Sequence, residues 1–382
     1  MTVLLTGADG YLGWPTALRL ADRLDERIVC VDDFSRRDWV AESGSVSATR
    51  IEDPEERFGR VENLSLVEGD LADRDFVLQL LATHEPDTVL HAAAQPSAPY
   101  SSINGERALY TQRNNVSMTL NLLHGLHETG LSDSHFIETT TTGIYGAPHF
   151  PIPEGGLEVD RKGGSDEVPF PAMGGSWYHQ TKSFDAANMR LAESQFDFPM
   201  SEVRTAIVYG TETDETRAHE SPTRFDFDYY FGTVVNRFCA QAVAGYPITV
   251  YGKGEQRKPM VSLEDAVESL VRLVEEGHSG DDGIDVYNQV TRPIAIVELA
   301  ETIAEVGAEF DLDAEVKHYE NPRNEDEEHK MEMENERFLE LVGGQRQELE
   351  SGIRDVLGTL VEERERIAAH EDRFLPGVLT DE

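Results

Sequence analysis

Gly7, Gly10 and Gly13 form a G-x-x-G-x-x-G loop that leaves an apolar run, Thr2 to Thr6, and opens a stretch with helical apolar spacing, Trp14 to Leu24. Few short patterns restrict a chain more. The first glycine permits a tight turn out of a strand, the second lets backbone N–H groups approach a pyrophosphate, and the third lets the helix pack close to the sheet. Arg27 to Val31 is apolar again and ends at Asp32, where a carboxylate about twenty residues beyond the loop can accept from the ribose hydroxyls of an adenosine. This reads as a βαβ unit that binds a dinucleotide. A carboxylate at Asp32 would repel a 2′-phosphate and so favours NAD over NADP, while Arg36 and Arg37 are candidates for contact with the pyrophosphate.

The alternation continues along the chain. A polar stretch from Ser35 to Glu62 precedes an expected strand at Leu64 to Val67, a helix from about Arg74 to Thr83 and a strand at Thr88 to Ala93. Val116 to Glu128 and Ser183 to Ser194 read as helices, and His135 to Thr139 and Met200 to Tyr209 as extended segments. The fold class is therefore α/β: a Rossmann, doubly wound parallel sheet with right-handed crossovers, followed by a smaller C-terminal α/β region. The expected division is an NAD-binding domain over 1–209, to which about 262–290 returns, and a region over 210–382 that mainly binds substrate. Two further helices are expected at Val297 to Val306 and Glu348 to Ala368.

Composition narrows the partners. The 382 residues are 39% hydrophobic, enough for a sizeable core, and 73 acidic against 33 basic residues leave a net charge of −40. Such a surface argues against binding to nucleic acid or to an anionic membrane. There are six lysines against 27 arginines, and the carboxylates are spread along the whole chain, the pattern of a halophilic protein kept soluble in molar salt; a haloarchaeal source is expected. Cys30 and Cys239 lie in separate apolar stretches, so small core fillers are expected and no metal site. With no targeting segment and no run of about eighteen apolar residues, a soluble, cytoplasmic protein is expected.

Three further places carry chemistry. Asp70 ends the third strand, where it could reach an adenine amino group or cap a helix, and the small residues of His91-Ala92-Ala93-Ala94 would let a cofactor lie against the backbone. Tyr178 and Lys182 are four apart and share a helical face. A phenol ionises near pH 10, but an adjacent ammonium and the positive nicotinamide favour the phenolate, which can take an alcohol proton while a hydride leaves. Lys182 would also hold the nicotinamide ribose, and the Thr-rich strand end at Thr139 to Thr142 offers a substrate hydrogen bond.

Together these features resemble the extended short-chain dehydrogenase/reductases, the NAD-dependent nucleotide-sugar epimerases and dehydratases. Within that superfamily, Gly10-Tyr11-Leu12-Gly13-Trp14, Ser97-Ala98-Pro99-Tyr100-Ser101, Tyr110 to Asn115, Val208-Tyr209-Gly210, Phe231-Gly232-Thr233 with Asn236-Arg237-Phe238, and Asn321-Pro322-Arg323 are similar in order and spacing to the sulfoquinovose-synthase family. The resemblance implies oxidation of UDP-glucose at C4 with NAD, loss of water across C5 and C6, addition of sulfite at C6 and return of the hydride. It implies Thr141, Tyr178 and Lys182 as the oxidation trio and His179 as acid/base in the elimination, with a plain helix-surface histidine as the alternative. Asp9, Tyr11, Leu71, Ala92, Asn115 and Val208 join the cofactor contacts. Gln95, Tyr100, Thr233, Tyr251 and Gln256 are implied for the substrate, with Arg237 and Arg323 forking onto the diphosphate or forming surface salt bridges. A homodimer paired through the helices at 116–128 and 183–194 is the family expectation.

Two positions depart from that family: Pro96 where it usually has Arg, and Ile144 where it usually has Glu. His179, Gln95 and Arg107 are the polar groups left to steer sulfite. Ordinary 4,6-dehydratases carry Asp-Glu at the positions that here are Thr142 and Gly143, which argues against that activity. A UDP-sugar 4-epimerase and a catalytically silent nucleotide-binding protein remain as alternatives.

Overall fold

The computed structural model describes residues 1–170, 174–280, 283–320 and 329–376. Its first half alternates as the apolar runs dictate: β1 (Thr2–Thr6), α1 (Gly13–Arg23), β2 (Arg27–Asp32), α2 (Ser35–Glu42), α3 (Pro54–Gly59), β3 (Leu64–Glu68), α4 (Arg74–His84), β4 (Thr88–His91), α5 (Ala98–Ser101), α6 (Gly105–Glu128) and β5 (His135–Thr141). A hairpin of β6 (Leu157–Arg161) and β7 (Gly164–Val168) precedes α7 (Trp177–Phe196) and β8 (Met200–Thr205). The second half runs β9 (Ile207–Tyr209), α8 (Asp214–Ala218), α9 (Val234–Ala244), β10 (Ile248–Tyr251), β11 (Arg257–Ser262), α10 (Leu263–Glu276), β12 (Ile284–Gln289), β13 (Arg292–Ala295), α11 (Ile296–Gly307), β14 (Val316–Tyr319), α12 (Glu336–Val342), α13 (Leu349–Glu362) and α14 (Arg364–Ala368).

Seven strands form one parallel sheet in the order β12-β8-β5-β4-β1-β2-β3. The chain leaves β1 toward β2 and β3 and returns on the other side of β1 at β4, so the sheet reverses direction between β1 and β4. A crevice opens at the carboxyl ends of strands at such a point. The β1, β4, β5 and β8 register places Thr6, His91, Glu138 and Glu202 side by side, a wholly buried polar row across four strands.

Three differences from the sequence reading have identifiable causes. The polar stretch 35–62 contains α2 and α3, and α3 starts because Asp53 accepts from the Glu55 amide and Pro54 stands at the first helical position. The run at 200–209 breaks at Ala206, where the pairing partner changes: β8 stays in the large sheet, while β9 joins β11 and β13 in a separate three-stranded one. Both long helices start earlier than their apolar spacing indicates, because Asn104 caps α6 and Ser176 caps α7. Among the described residues, no helix is long and apolar enough to cross a membrane and no His, Cys, Asp and Glu cluster is arranged to hold a metal.

Cys30 packs in the core between the sheet, α1 and α10, and Cys239 in the core of α9, α11 and α13. The first of these layers is also tied by charge. Arg19 of α1 is 1% exposed and donates to Glu215 of α8 (2.8 Å) and to Glu264 (2.7 Å) and Glu268 (3.2 Å) of α10. Glu268, wholly buried, also receives Arg23, Arg272 and Arg346. Removing the buried guanidinium takes the ion-pair partner from Glu215 and Glu264, so Arg19→Ala is expected to destabilise the fold by about 3–5 kcal/mol. Urea unfolding followed by circular dichroism checks this; a loss below about 1 kcal/mol, the scale of an exposed pair, would contradict it.

Candidate functional site

The crevice is a cleft of about 470 Å³ between the strand ends and the C-terminal half of the chain. Its floor is the glycine loop. Gly7 turns with φ +71°, and a Cβ there would lie 2.7 Å from the Ala93 nitrogen; a Cβ on Gly13 would lie 2.0 Å from the Gly7 carbonyl oxygen. Only bare backbone fits. Gly10, Tyr11, Leu71, Ala92 and Val208 line the same cleft, as expected of cofactor neighbours.

Asp32 closes this end. Its carboxylate accepts from the amides of Asp9 (2.9 Å) and Phe34 (2.8 Å), and burial, with the Asp9 charge adding, pushes it up to about 6, so it is mainly ionised at neutral pH. Arg36 lines the cleft, paired through Nε (3.0 Å) and Nη2 (2.7 Å) to Asp226, with Nη1 buried and unpartnered. A close-packed glycine loop, an ionised carboxylate and a guanidinium lining the cleft suit a dinucleotide's backbone-bound phosphates and ribose.

Four expected cofactor contacts lie elsewhere. Asp9 is buried and holds Arg37 (2.7 and 2.8 Å) and Arg57 (2.8 Å), so both Asp9 and Arg37 serve the wall behind the loop. Asp70 is exposed and accepts from the Ala72 amide (2.7 Å); the helix cap expected there is Asp73. Asn115 is buried, tied to both backbone groups of Gln95 (2.9 and 3.1 Å) and to Thr181 (3.1 Å). It braces α6 against α7 instead of touching the cleft.

The middle of the cleft gathers Thr141, Tyr178 and His179. Thr141 ends β5 and accepts from the Gly143 amide (3.2 Å). Ser176 accepts from the His179 amide (3.1 Å), so Tyr178 and His179 sit in the first turn of α7. A Cβ on Gly143 would lie 2.3–2.4 Å from His179 Cδ2 and Nε2. The imidazole therefore occupies the space that a side chain at 143 would fill. Burial raises the Tyr178 phenol above its ordinary value, and Lys182 opposes that rise.

The structure directs Lys182 away from the expected ribose contact. Its Nζ is buried, 2.9 Å from Glu138 and 3.3 Å from Asp185. Burial alone would favour loss of its proton, but the two carboxylates outweigh it and keep the ammonium charged. Burial pushes Glu138 up to about 8 and raises Asp185 as well, so the two carboxylates facing one lysine retain a proton at neutral pH. His91, 4.0 Å from Glu138 and bonded to Thr6 (2.7 Å), is held neutral by burial.

At the far end Thr233, Arg237, Tyr251 and Gln256 line the cleft as expected for substrate contacts. Gln95 does not; its side chain turns back on Ser97 (3.0 and 3.3 Å). Tyr100 is buried with its hydroxyl on Glu42 (3.1 Å), and Arg107 pairs with the same Glu42 over the Tyr100 ring. Arg323 lies outside the described residues. Sequence reasoning missed Lys258, which stands two residues after Gln256 and lines the cleft with it, a period-two signal that was available. It also missed Asp226, whose pairing with Arg36 spans 190 residues.

Residues 3–288 match the model of the NAD dependent epimerase/dehydratase family. The chain is 37% identical over 335 residues to UDP-sulfoquinovose synthase of Sulfolobus acidocaldarius, covering 86% of this chain and 84% of that one. It is 35% identical over 346 residues to the chloroplastic UDP-sulfoquinovose synthase of Spinacia oleracea, covering 89% and 71%. Its fold is similar to a UDP-glucose 4-epimerase from Thermotoga maritima, at TM-score 0.71 and 21% identity over 95% of this chain and 99% of that one. A UDP-glucuronic acid 4-epimerase from Bacillus cereus, solved with UDP-glucuronic acid and NAD, aligns at TM-score 0.70 and 18% identity over 95% and 99%. The chain is an NAD-dependent enzyme that belongs to the epimerase/dehydratase family and, within it, to the UDP-sulfoquinovose synthases.

Proposed function

We propose that the enzyme converts UDP-glucose and sulfite to UDP-sulfoquinovose. The observation that carries this reading beyond the family is the His179 imidazole laid over Gly143, beside Thr141 and Tyr178. It puts a proton-carrying group where ordinary 4,6-dehydratases have a carboxylate, and a simple 4-epimerase has no use for such a group.

Bound NAD+ supplies a hydride acceptor and later a donor. Tyr178 takes the C4 hydroxyl proton, Thr141 orients that hydroxyl, and Lys182 acts on Tyr178 through its charge, since its hydrogen bonds go to Glu138. The 4-ketone makes the C5 proton acidic. His179 takes that proton and passes it to the C6 hydroxyl, which departs as water. Bisulfite gives its proton to His179 and adds its sulfur lone pair to C6 of the enone, His179 returns that proton to C5, and as the hydride returns to C4 Tyr178 gives its proton back to the C4 oxygen. Arg237 and Lys258 face the end of the cleft suited to a diphosphate. Ile144 is wholly buried, so no acid/base group is available from that position.

Mass spectrometry of the nucleotide sugar after incubation with UDP-glucose, with and without sulfite, tests the reading. Sulfonated product is expected from the native enzyme, less than about one-hundredth as much from Tyr178→Phe, and sharply less from His179→Ala with NAD binding intact. UDP-galactose as the sole product would promote the epimerase.

The Tyr178–Lys182 relation has a sign. Tyr178 acts as phenolate, and Lys182 lowers its pKa against the effect of burial. Turnover should be present above that pKa and lost below it. In Lys182→Met the acidic limb of kcat against pH is expected to move upward by about one unit or more; an unmoved or lowered limb would remove Lys182 from this role.

We also propose a homodimer through α6 and α7. Trp177, Phe184 and Leu191 recur at seven-residue spacing on α7 and are 55%, 42% and 56% exposed, an apolar stripe unusual on so acidic a surface. Size-exclusion chromatography with light scattering should give a dimer in high salt, a weaker one in dilute buffer as the −40 charge goes unscreened, and a monomer for Leu191→Glu. A Leu191→Glu protein that stays dimeric would place the interface elsewhere.

A further inference from the structure

Behind the cofactor wall, outside the cleft, lies a second cavity of about 390 Å³. Its polar lining consists of four arginines, Arg37, Arg50, Arg224 and Arg366, with Ser45 and Ser47. No carboxylate lines it among the described residues, in a chain whose acidic residues outnumber the basic ones 73 to 33. Like charges gathered from four separate segments repel one another, and chance does not favour them on this molecule.

The ion pairs around the cavity leave donors over. Asp9 accepts from both Arg37 and Arg57, and Asp226 from both Arg36 and Arg224, so each carboxylate is shared by two guanidiniums. Arg366 donates from Nε to the Ser47 carbonyl (2.8 Å) and has no carboxylate within 4 Å among the described residues. Arg50 reaches Glu363 at 3.4 Å from a side chain 78% exposed, a weak contact. Ser45 and Arg224 are themselves 4% and 2% exposed, so the guanidiniums of Arg50 and Arg366 are the more open part of the lining. An oxyanion is the group that would answer a concave surface carrying four guanidiniums and, among the described residues, no carboxylate.

We infer that this cavity is a second anion site, separate from the catalytic cleft, that takes a small doubly charged oxyanion of the sulfate, phosphate or sulfite type. It is joined to the cleft by the chain Arg224–Asp226–Arg36, whose last two members line the cleft. The site goes beyond the proposed reaction, which needs no second anion.

The test is isothermal titration calorimetry of the holoenzyme with sodium sulfate and, separately, inorganic phosphate and sulfite, at constant ionic strength set with sodium chloride. NAD and UDP are kept saturating so that the cleft is filled. Saturable binding of one equivalent is expected for at least one of the three anions, and the order of their affinities identifies the occupant. Arg50→Gln, on an exposed side chain, and Arg366→Gln, on a part-buried one, should each weaken it about tenfold without altering sulfonated product. Absence of saturable heat for all three anions, or equal affinity in the native protein and both variants, would overturn the site.

Discussion

The structure depends on one close approach of backbone to backbone. The Gly7 carbonyl oxygen stands 2.0 Å from where a Cβ on Gly13 would be, and Gly7 itself lies against the Ala92–Ala93 backbone at the end of β4. That contact brings the start of α1 down onto the sheet at its reversal point. Neighbouring parts of the cleft take their positions from it: Asp32 is held by the Asp9 amide in the same loop, and Tyr11 reaches across to donate to the Gly210 carbonyl (2.5 Å) in the second half of the chain. A methyl group at position 7 or 13 would therefore displace the cofactor floor and the seam between the two halves together.

Beneath that floor the sheet carries charge where a parallel sheet is ordinarily apolar. Thr6, His91, Glu138 and Glu202 form a row across four strands, answered by Lys182 and Asp185 from α7 and by Arg204 within β8. Glu202 is held ionised, since the paired Arg204 outweighs burial, whereas Glu138 is pushed up to about 8. Two carboxylates one strand apart thus have different proton affinities, set by which has an arginine and which shares a lysine. At Tyr178 the lysine's charge lowers the phenol's proton affinity, against burial and against the charges of Asp185 and Glu138.

Much of this was legible in the sequence because it is local. The glycine loop, Asp32, the spacing of Tyr178 and Lys182, and the alternation of apolar runs each act within about thirty residues, and the fold follows from them. The residues that were misplaced are those whose partners no pattern in the sequence names, whether near or far along the chain. Asp9 and Arg37 look free in the sequence and are paired to each other; Gln95 and Asn115 look like cleft residues and are locked together; Asp226 gives no signal until α2 brings Arg36 to it. The break at Ala206 was invisible for a related reason, since an extended run does not record that its hydrogen-bonding partner changes midway.

His179 over Gly143 has a mechanical consequence. Tyr178 and His179 are consecutive residues in the first turn of one helix, so the groups assigned to the two proton transfers ride on a single rigid body. Their separation is set by helix pitch and not by how a strand-end loop meets a helix. Small shifts of α7 would carry both groups relative to the sugar in step, preserving the relation between the C4 and C6 chemistry. They could not improve one without moving the other, whereas Thr233, Arg237 and Lys258, which also line the cleft, stand on other elements and can vary independently.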